Sequence, residues 1–366
     1  MSLLNTTTVV IPSLEPDDRL APYVDSLLES GFERIVVVDD GSSEPFQKVF
    51  RDLETRENVT VLHHDVNHGK GVALKTAYTW IAEHPGQTRA VLTADADGQH
   101  KLADCKNVLT AFEKGKPGLY LGSRDFNLPN IPPKSRFGNK TTSLVFRICN
   151  GVWLPDTQTG LRVFDIGHLD FMSQVEGERY EYEMNVLIAC AREKIPMVPV
   201  TIETVYENNN EGTHFHPIRD SVRIYKVILG SFIRFMGASI FCMLVDNLAA
   251  AVFSAWLLPL LGMQDLNTRI WVSGFLARII SSILNFCLNK SFVFRFRGST
   301  SGSAWKYGVL CVASICLSNL GVTLLTKIGM ARWVAKLLCD TVLYFVNYHF
   351  QQVWVFRPER KEGSQK

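Results

Sequence analysis

The chain has 366 residues, of which 46% are hydrophobic and 20% charged, with a formal net charge of +2. This length allows about two domains, and the near-neutral charge gives no reason to expect a nucleic-acid partner. Charged residues are dense up to about Lys226 and sparse afterwards, where long apolar runs follow. We therefore predict a polar first domain followed by a membrane-embedded second domain.

Two further observations concern the cellular location of the first domain and the role of the cysteines. The first residues lack the basic and apolar segments of a signal peptide, so the first domain is expected to stay in the cytosol. The eight cysteines contain no CxxC pair. We predict that they act as small hydrophobic residues and form neither disulfides nor a zinc site.

The first part of the chain alternates β-branched runs with amphipathic segments. Strands are predicted at 8–12, 34–38, 59–62 and around Val91 and Leu92. Helices are predicted at 20–28, at about 45–56, and from the Gly69 region to about His84. This alternation with short loops predicts a doubly wound, mostly parallel α/β sheet.

Two predicted strands end in pairs of carboxylates. One leads into Asp95 and Asp97, with Gln99 and His100 after them, and the strand at 34–38 ends in a similar pair. Ligands of open α/β sheets bind at the carboxyl ends of the strands, and two close carboxylates favour an oxygen-ligated divalent metal. A polar turn is the alternative interpretation, because Asp and Gly are common in turns.

A glycine-rich segment, Asn67-His68-Gly69-Lys70-Gly71, opens the third predicted helix. Amide donors at a helix N-terminus beside Lys70 suit a diphosphate. The chain lacks Walker spacing here and has no GxGxxG after its first strand, which argues against a nucleotide triphosphatase or a dinucleotide site. An ordinary glycine-rich helix start is the alternative.

Two later motifs complete an ordered set: Gly122-Ser123-Arg124 and Asp156-Thr157-Gln158-Thr159-Gly160-Leu161-Arg162. With the motifs above, this order resembles an inverting family 2 glycosyltransferase of the GT-A fold, over roughly residues 7–225. It is most similar to the branch that contains dolichol-phosphate mannose synthase and the bacterial polyprenyl-phosphate glucosyltransferases. The resemblance implies transfer of a hexose from a nucleotide sugar to polyprenyl (undecaprenyl or dolichyl) phosphate, giving a β-linked lipid-phosphate sugar for cell-envelope glycosylation. UDP-glucose is the favoured donor and GDP-mannose the next.

The resemblance also implies roles for individual residues. The nucleotide side would comprise Pro12, Glu15, Asp39, Asp40, Lys70 and Asp95. Mg²⁺ or Mn²⁺ would be held against the donor diphosphate by Asp95, Asp97 and Gln99. The acceptor phosphate would be bound by Arg124, Ser135, Arg136, His214 and Arg219. The catalytic set would be Asp97, Arg124, Arg136 and Asp156.

Most of these polar residues also have a plain structural interpretation. A phosphate monoester is already anionic at neutral pH, so it needs positioning and charge neutralisation more than a strong base, and arginine suits that task. Arg124 and Arg136 are alternatively solvated loop charges. Asp156 is either a base or sugar-hydroxyl ligand, or a carboxylate that caps a turn. His214, in a polar loop that resembles the mobile acceptor loop of the family, is alternatively a histidine without a role.

Two acidic residues open a helix after Tyr180. Glu181 and Glu183 fall in its first turn, where carboxylates favour the helix dipole without taking part in chemistry. We therefore interpret Glu181 as structural and Glu183 as structural with slightly less support.

With its long apolar runs and their aromatic and basic ends, the second part of the chain resembles a GtrA-like membrane domain over most of 231–358. We predict a cytosolic GT-A domain (1–220), an amphipathic juxtamembrane segment (221–230), an all-α transmembrane domain (231–358) and a cytosolic tail (359–366). Four spans are predicted, at about 235–260, 271–292, 307–327 and 333–355. Basic residues cluster on one side of them, which places the catalytic domain and both termini in the cytosol, at the inner membrane of the cell.

The predicted spans form two hairpins that look like an internal repeat. Asn285-Phe286 and Phe292-Val293-Phe294-Arg295 recur at the same spacing as Asn347-Tyr348 and Trp354-Val355-Phe356-Arg357. Such duplication occurs among membrane carriers, whereas interface anchoring is the alternative explanation. Four charges lie within the spans. We expect the pairs Asp246 with Arg278 and Lys336 with Asp340, although a lipid-phosphate or sugar path is the other interpretation.

Two other functions stay open. The membrane domain is alternatively a carrier or flippase for the lipid-linked sugar. A processive polysaccharide synthase is disfavoured, because the chain lacks a Gln-x-x-Arg-Trp motif. The expected partners are a nucleotide sugar, polyprenyl phosphate and the lipid membrane, and a homo-oligomer is compatible with the sequence.

Overall fold

The computed structural model describes residues 2–129, 131–203, 217–296 and 298–356, without the side chains of 217–221. Most of the predicted acceptor loop, with His214, and the predicted tail at 359–366 lie outside these ranges. The chain divides into two compact units, Met1–Ile228 and Leu229–Lys366.

The first unit is built around one mixed sheet of seven strands. The strands are β1 (Thr7–Ser13), β2 (Arg34–Asp39), β3 (Val59–His63), β4 (Ala90–Thr93), β5 (Leu119–Arg124), β6 (Arg162–Asp165) and β7 (Met197–Ile202). Their order across the sheet is β3-β2-β1-β4-β6-β5-β7. Strand β6 runs antiparallel to β4 and β5, and the other neighbours are parallel. The predicted mostly parallel α/β sheet is therefore confirmed, with one reversed strand inside it.

Helices cover both faces of this sheet, which explains the apolar strands. They are α1 (Leu20–Glu29), α2 (Gln47–Leu53), α3 (Lys70–Glu83), α4 (Leu102–Lys114), α5 (Pro133–Asn150), α6 (Leu169–Gln174), α7 (Glu181–Glu193) and α8 (Pro217–Ile228). All seven residues of β1 are buried, as expected for a central strand covered on both sides. Cys105 lies in this core, and all eight cysteines are free.

The strand register brings the polar strand ends together. Ser13 of β1 pairs with Asp39 of β2, and Val10 of β1 pairs with Thr93 of β4. Because these strands are parallel, the segments that follow them leave the sheet at the same edge. This edge collects the carboxylates that the sequence singles out.

The second unit is helical. Its elements are α9 (Gly230–Val252), a π-helical turn (Phe253–Leu257), α10 (Leu258–Leu260), α11 (Leu266–Leu288), a π-helical turn (Asn289–Val293), α12 (Thr300–Lys327), α13 (Arg332–Phe350) and a π-helical turn (Gln351–Val355). Within the described residues, three stretches are long and apolar enough to cross a membrane: Gly230–Leu260, Leu266–Val293 and Thr300–Lys327. The fourth predicted span corresponds to α13, which is not among them, because polar residues such as Lys336 and Asp340 lower its mean hydropathy.

The two hairpins of this unit meet through equivalent positions. Asn289 Nδ2 donates to Gln351 Oε1 at 2.9 Å, and these buried residues are 62 apart in the chain. Each opens a π-helical turn, and Phe294 and Phe356, which follow the turns, stack with centroids 5.2 Å apart. Single π-turns are rare in helices, so two at matching positions support the predicted repeat. Arg357, the last residue of the second copy, lies outside the described residues.

Both ion pairs that were predicted for the second unit form. Arg278 Nη2 lies 3.2 Å from Asp246 Oδ2, and Ser281 Oγ donates to the same carboxylate at 2.8 Å. Lys336 Nζ lies 3.0 Å from Asp340 Oδ1. The interpretation of these charges as mutually paired is confirmed.

Candidate active site

A lysine and a histidine enclose the first carboxylate after β4. Lys70 Nζ, at the start of α3, lies 2.6 Å from Asp95 Oδ1, and His100 Nε2 lies 3.1 Å from Asp95 Oδ2. Lys70 Nζ also lies 3.1 Å from Glu183 Oε1, in the first turn of α7. Burial by itself would raise the pKa of Asp95, but Lys70 and His100 outweigh it, so this pKa falls below its ordinary value. Asp95 is therefore held ionised.

The second carboxylate of the pair is less well compensated. Asp97 Oδ1 accepts a hydrogen bond from the backbone nitrogen of Gln99 at 3.0 Å. Burial, and then the charge of Asp95, raise the pKa of Asp97 above its ordinary value. A divalent cation would relieve both effects, and carboxylate and amide oxygens are ligands that Mg²⁺ prefers. Asp95 and Asp97 thus fit such an ion, whereas the contact shown for Gln99 is that of its backbone nitrogen with Asp97.

This donor set is incomplete by itself. In the part of the chain that the structure describes, no three His, Cys, Asp or Glu side chains form a ready metal cluster. Mg²⁺ is commonly held by one or two carboxylates and completes its shell with water and substrate phosphates. An ion at Asp95 and Asp97 would thus share its coordination with a bound diphosphate.

A glycine of the Asp156–Arg162 segment packs directly on Asp95. A Cβ atom at Gly160 would lie 2.5 Å from Asp95 Oδ2, and Thr93 Oγ1 donates to the Gly160 carbonyl at 2.7 Å. Only glycine permits this approach of backbone to carboxylate. The motif at 156–162 is thereby joined to the carboxylate pair after β4.

Asp39, which was predicted to line the nucleotide pocket, is buried and well hydrogen-bonded. It accepts from the backbone nitrogen of Ser42 at 2.8 Å and from Gln47 Nε2 at 2.9 Å, and its Oδ2 lies 3.0 Å from His63 Nδ1. Burial would raise the pKa of Asp39, but these contacts outweigh it and lower the pKa. Asp39 therefore organises the turn at the end of β2.

Asp40 organises the glycine-rich loop instead of presenting free oxygens. It accepts from the backbone nitrogens of His68 at 3.0 Å and Gly69 at 2.7 Å, and its Oδ1 lies 2.8 Å from His64 Nδ1. Gly69 has a φ of +103°, a conformation that favours glycine. Asp40 thus sets the loop that places Lys70 at the start of α3.

The remaining nucleotide-side residues lie at the end of β1. Pro12 is buried within β1 and Glu15 is exposed in the loop that follows. Glu15 has a φ of +46°, and its backbone nitrogen donates to Ser42 Oγ at 2.8 Å. Ser43 Oγ donates to Glu15 Oε1 at 3.1 Å. The structure therefore brings Glu15 against the turn that contains Asp39 and Asp40.

Arg124 and Asp156, two predicted catalytic residues, form an ion pair. Arg124 Nε donates to Asp156 Oδ2 at 2.7 Å, and Arg124 Nη2 to Oδ1 at 3.2 Å. The Asp156 carboxylate also accepts from the backbone nitrogens of Arg124 and Gln158 and from Asn139 Nδ2. With its side chain fully buried and five donors around it, Asp156 is an orienting group with little capacity to accept a substrate proton. The bond from Gln158 also shows the turn-capping role that the sequence left open.

Of the other predicted acceptor residues, the structure describes the side chains of some but not of all. Ser135 and Arg136 lie in the first turn of α5, and Arg136 Nη2 donates to the Leu128 carbonyl at 2.7 Å. Arg219 lies in α8, where its side chain is not described, and His214 lies outside the described residues. The contacts of the described residues do not join Arg136 to the Arg124–Asp156 pair.

Glu183 is a site residue whose contact with Lys70 the sequence did not predict. Glu181 Oε1 accepts from the backbone nitrogens of Glu178 and Arg179 at 3.1 and 3.2 Å, which confirms its structural role at the helix start. Glu183, two residues on, faces a different side of the helix and reaches Lys70. The acidic pattern Glu-x-Glu was the available signal, but it does not reveal a partner so distant in the chain.

Two family models match the chain. Residues 8–164 match the model "Glycosyl transferase family 2", and residues 234–356 match "GtrA/DPMS, transmembrane domain". The chain therefore contains a family 2 glycosyltransferase domain followed by a GtrA/DPMS transmembrane domain, which indicates a membrane protein.

Several known proteins are similar to it. A UDP-N-acetylglucosamine–dolichyl-phosphate N-acetylglucosaminyltransferase of Methanococcus voltae is 29% identical over 219 residues, covering 54% of this chain and 85% of that protein. A dolichyl-phosphate beta-glucosyltransferase of Saccharomyces cerevisiae is 26% identical over 252 residues, covering 60% and 72%. Among solved structures, glucosyl-3-phosphoglycerate synthase of Mycobacterium tuberculosis, in complex with Mn²⁺, UDP and phosphoglyceric acid, has a TM-score of 0.46 and 15% identity over 62% of this chain and 78% of that one. Because the TM-score and the identity are this low, the ligands of that enzyme are not assigned to this chain.

Proposed function

We propose that the protein transfers a hexose from a nucleotide sugar to polyprenyl phosphate and makes a β-linked polyprenyl-phosphate sugar for cell-envelope glycosylation. The observation that carries the proposal is the Asp95–Asp97 turn with Lys70 beside it, in a chain that continues into a GtrA/DPMS domain. Relatives named as dolichyl-phosphate transferases support a lipid phosphate as the acceptor. UDP-glucose is our favoured donor, with GDP-mannose next.

On the donor side, Asp95, Asp97 and Gln99 would hold Mg²⁺ or Mn²⁺. A bound ion would supply charge neutralisation for the nucleoside diphosphate that leaves. Lys70 adds a second positive charge at the N-terminus of α3, where backbone amides also favour phosphate. Pro12, Glu15 and the turn after β2 would enclose the nucleoside.

On the acceptor side, the lipid phosphate itself would be the nucleophile. One of its oxygens attacks the anomeric carbon as the bond to the diphosphate breaks, and an α-linked donor then gives a β-linked product. The anionic oxygen needs no base, which agrees with the saturated Asp156. Asp156 holds Arg124 oriented toward its task of binding phosphate, and Ser135, Arg136, His214 and Arg219 would complete the acceptor set.

We also propose a membrane topology, which rests on the distribution of apolar and basic residues in the sequence. A cytosolic transferase domain (1–220), a juxtamembrane segment (221–230), a membrane domain (231–358) and a tail (359–366) would place both termini in the cytosol, at the inner membrane. Helix α13 would be the fourth span, with Lys336 and Asp340 neutralised as a pair.

A donor panel tests the proposal. Purified full-length protein with Mn²⁺ is given UDP-glucose, UDP-N-acetylglucosamine or GDP-mannose, with and without undecaprenyl phosphate, and nucleoside diphosphate release is measured. We expect one donor to give release that depends on the lipid phosphate. If no common nucleotide sugar gives release, the proposal is overturned. If release is the same with and without undecaprenyl phosphate, the acceptor assignment is overturned.

The contact between the repeated hairpins favours a second candidate function, a carrier for the lipid-linked sugar. Duplicated helical units that meet about a common centre occur in carriers, and Asn289 with Gln351 forms such a centre here. Full-length Asp97→Asn protein in vesicles would separate transport from synthesis, because it should make no product. Movement of labelled lipid-linked sugar across the membrane of those vesicles would support the carrier function. If no labelled lipid moves, the carrier function is excluded.

A further inference from the structure

Lys70 is shared between two carboxylates that come from distant parts of the chain. Its Nζ lies 2.6 Å from Asp95 Oδ1 and 3.1 Å from Glu183 Oε1. The exposed fractions of these side chains are 17% for Lys70, 31% for Asp95 and 11% for Glu183. Water therefore screens these charges only weakly, and each contact has a large influence on where the ammonium group rests.

The contact with Asp95 conflicts with metal binding. One Asp95 oxygen faces Lys70 and the other faces His100. In the proposed donor complex, Asp95 must offer an oxygen to a divalent cation, so the cation and the Lys70 ammonium group compete for the Asp95 carboxylate. An ammonium group next to a divalent cation is repelled unless another anion holds it.

We propose that Glu183 is a positioning residue that keeps Lys70 in the site when Asp95 turns from the ammonium group to the metal ion. Lys70 then stays close enough to meet the donor diphosphate. This inference rests on the proposed function. It gives the second acidic residue of α7 a role that is different from the helix-capping role of Glu181.

The surroundings of Glu183 suit a fixed anchor. Its backbone carbonyl accepts from Arg162 Nη1 at 3.0 Å, and Arg162 is itself buried. The preceding residue, Tyr182, is buried and its hydroxyl donates to the Met172 carbonyl at 2.7 Å. These contacts hold the backbone on both sides of the carboxylate, and none of them uses the Glu183 side chain. A change from Glu to Gln at this position therefore leaves them intact.

The test measures Mn²⁺ binding to the full-length protein in detergent, with UDP present. The electron paramagnetic resonance signal of free Mn²⁺ is the readout. In Glu183→Gln, Asp95 is the one carboxylate left of the two that contact Lys70, so the ammonium group competes more strongly with the ion for Asp95. We expect an affinity for Mn²⁺ about 10-fold weaker than in the wild type, the usual scale for groups that orient metal ligands. Glu181→Gln, the same substitution two residues earlier, should bind Mn²⁺ like the wild type.

The same Glu183→Gln change in a Lys70→Met variant separates two effects on Mn²⁺ binding: the positioning of Lys70 and the simple loss of a negative charge. In Lys70→Met, no ammonium group competes for Asp95, so adding Glu183→Gln should not weaken Mn²⁺ binding further. Equal weakening by Glu183→Gln in both backgrounds would overturn the role, because the carboxylate would then act on the ion without Lys70. Unfolding temperatures of all variants in detergent show that each is folded.

The outcomes for the two proposals differ. If the wild type binds Mn²⁺ and Glu183→Gln binds it equally well, the role of Glu183 is wrong and the proposed function is untouched. If the wild type binds no Mn²⁺ with UDP, the proposed metal site is wrong and the role of Glu183 is wrong with it.

Discussion

The carboxylates after β4 and the carboxylate of Asp156 are made of the same chemical groups but differ in how fully they are satisfied. Asp156 is surrounded by five hydrogen-bond donors and has a side chain that is fully buried. Asp97 has a raised pKa because burial and Asp95 act against its charge. A saturated carboxylate holds its neighbours in place, whereas an under-compensated one favours a cation. The comparison assigns a fixed role to the first and an ion-binding role to the second.

The largest effect that this comparison predicts is for Asp97→Asn. Loss of one carboxylate from the proposed metal site should lower sugar transfer about 1000-fold, the scale seen when a group that stabilises developing charge is removed. Transfer of labelled sugar into the lipid phase measures it, with expression and membrane insertion unchanged. Asp52→Asn, whose side chain is 56% exposed on α2, is the control. Turnover at the wild-type level would contradict the metal assignment.

Asp156→Asn should act differently, through Arg124. Breaking a buried ion pair costs several kcal/mol, and since the Arg124 side chain is 29% exposed, we expect about 2 kcal/mol of lost stability after solvent screening. The KM for polyprenyl phosphate should rise while Mn²⁺ affinity is kept. Thermal unfolding and acceptor titrations measure both effects. The exposed Asp170 in α6, changed to Asn, is the control. An unchanged unfolding temperature would show that the pair contributes nothing.

A glycine substitution tests the link between the two regions. Gly160→Ala places a Cβ atom where it would lie 2.5 Å from Asp95 Oδ2, so Asp95 must move. We expect Mn²⁺ affinity to fall about 10-fold, as when a ligand loses its orientation. Gly138→Ala in α5 is the matched control, because a Cβ atom there meets nothing within 4 Å. Equal affinities for the two variants would contradict the packing of this segment on Asp95.

The smallest effect concerns Asp39, which is saturated like Asp156 but has a titratable partner. Burial would lower the pKa of His63, but Asp39 and Glu54 outweigh it and raise the pKa. The stabilisation by protonated His63 is thus complete below its unfolded pKa and is lost as pH rises through the raised folded pKa. Since His63 is 40% exposed, we expect less than about 1 kcal/mol. The difference in unfolding temperature between wild type and His63→Gln should shrink from pH 6 to pH 8.5, and a constant difference would contradict it.

The sheet was predictable where its strands are long and apolar. The predicted strands at 8–12, 34–38 and 59–62 correspond to Thr7–Ser13, Arg34–Asp39 and Val59–His63, since β-branched runs flanked by turn residues have few other structures. Strand β6 was not predicted. It is only four residues long, begins with Arg162 and ends with Asp165, and its antiparallel pairing comes from neighbours elsewhere in the chain.

The site was predictable as a set of residues but not as a set of contacts. Asp39, Asp40, Asp95 and Asp97 were found because parallel strands end at one edge of a sheet. The pairing of Arg124 with Asp156, and of Lys70 with Glu183, depends on how distant segments approach one another. Local patterns do not contain that information. For this reason the sequence leaves Asp156 open between a base or sugar-hydroxyl ligand and a turn cap, and it predicts only a helix-start role for Glu183.

Mn²⁺ binding to Asp97→Asn and Asp156→Asn, measured side by side with UDP present, tests most directly whether the two carboxylate regions have different roles. Both variants make the same chemical change, from carboxylate to amide. We predict that full-length Asp156→Asn binds Mn²⁺ with wild-type affinity and that Asp97→Asn loses binding. Equal affinities in the two variants, or loss in Asp156→Asn alone, would contradict the assignment of the metal to the turn after β4.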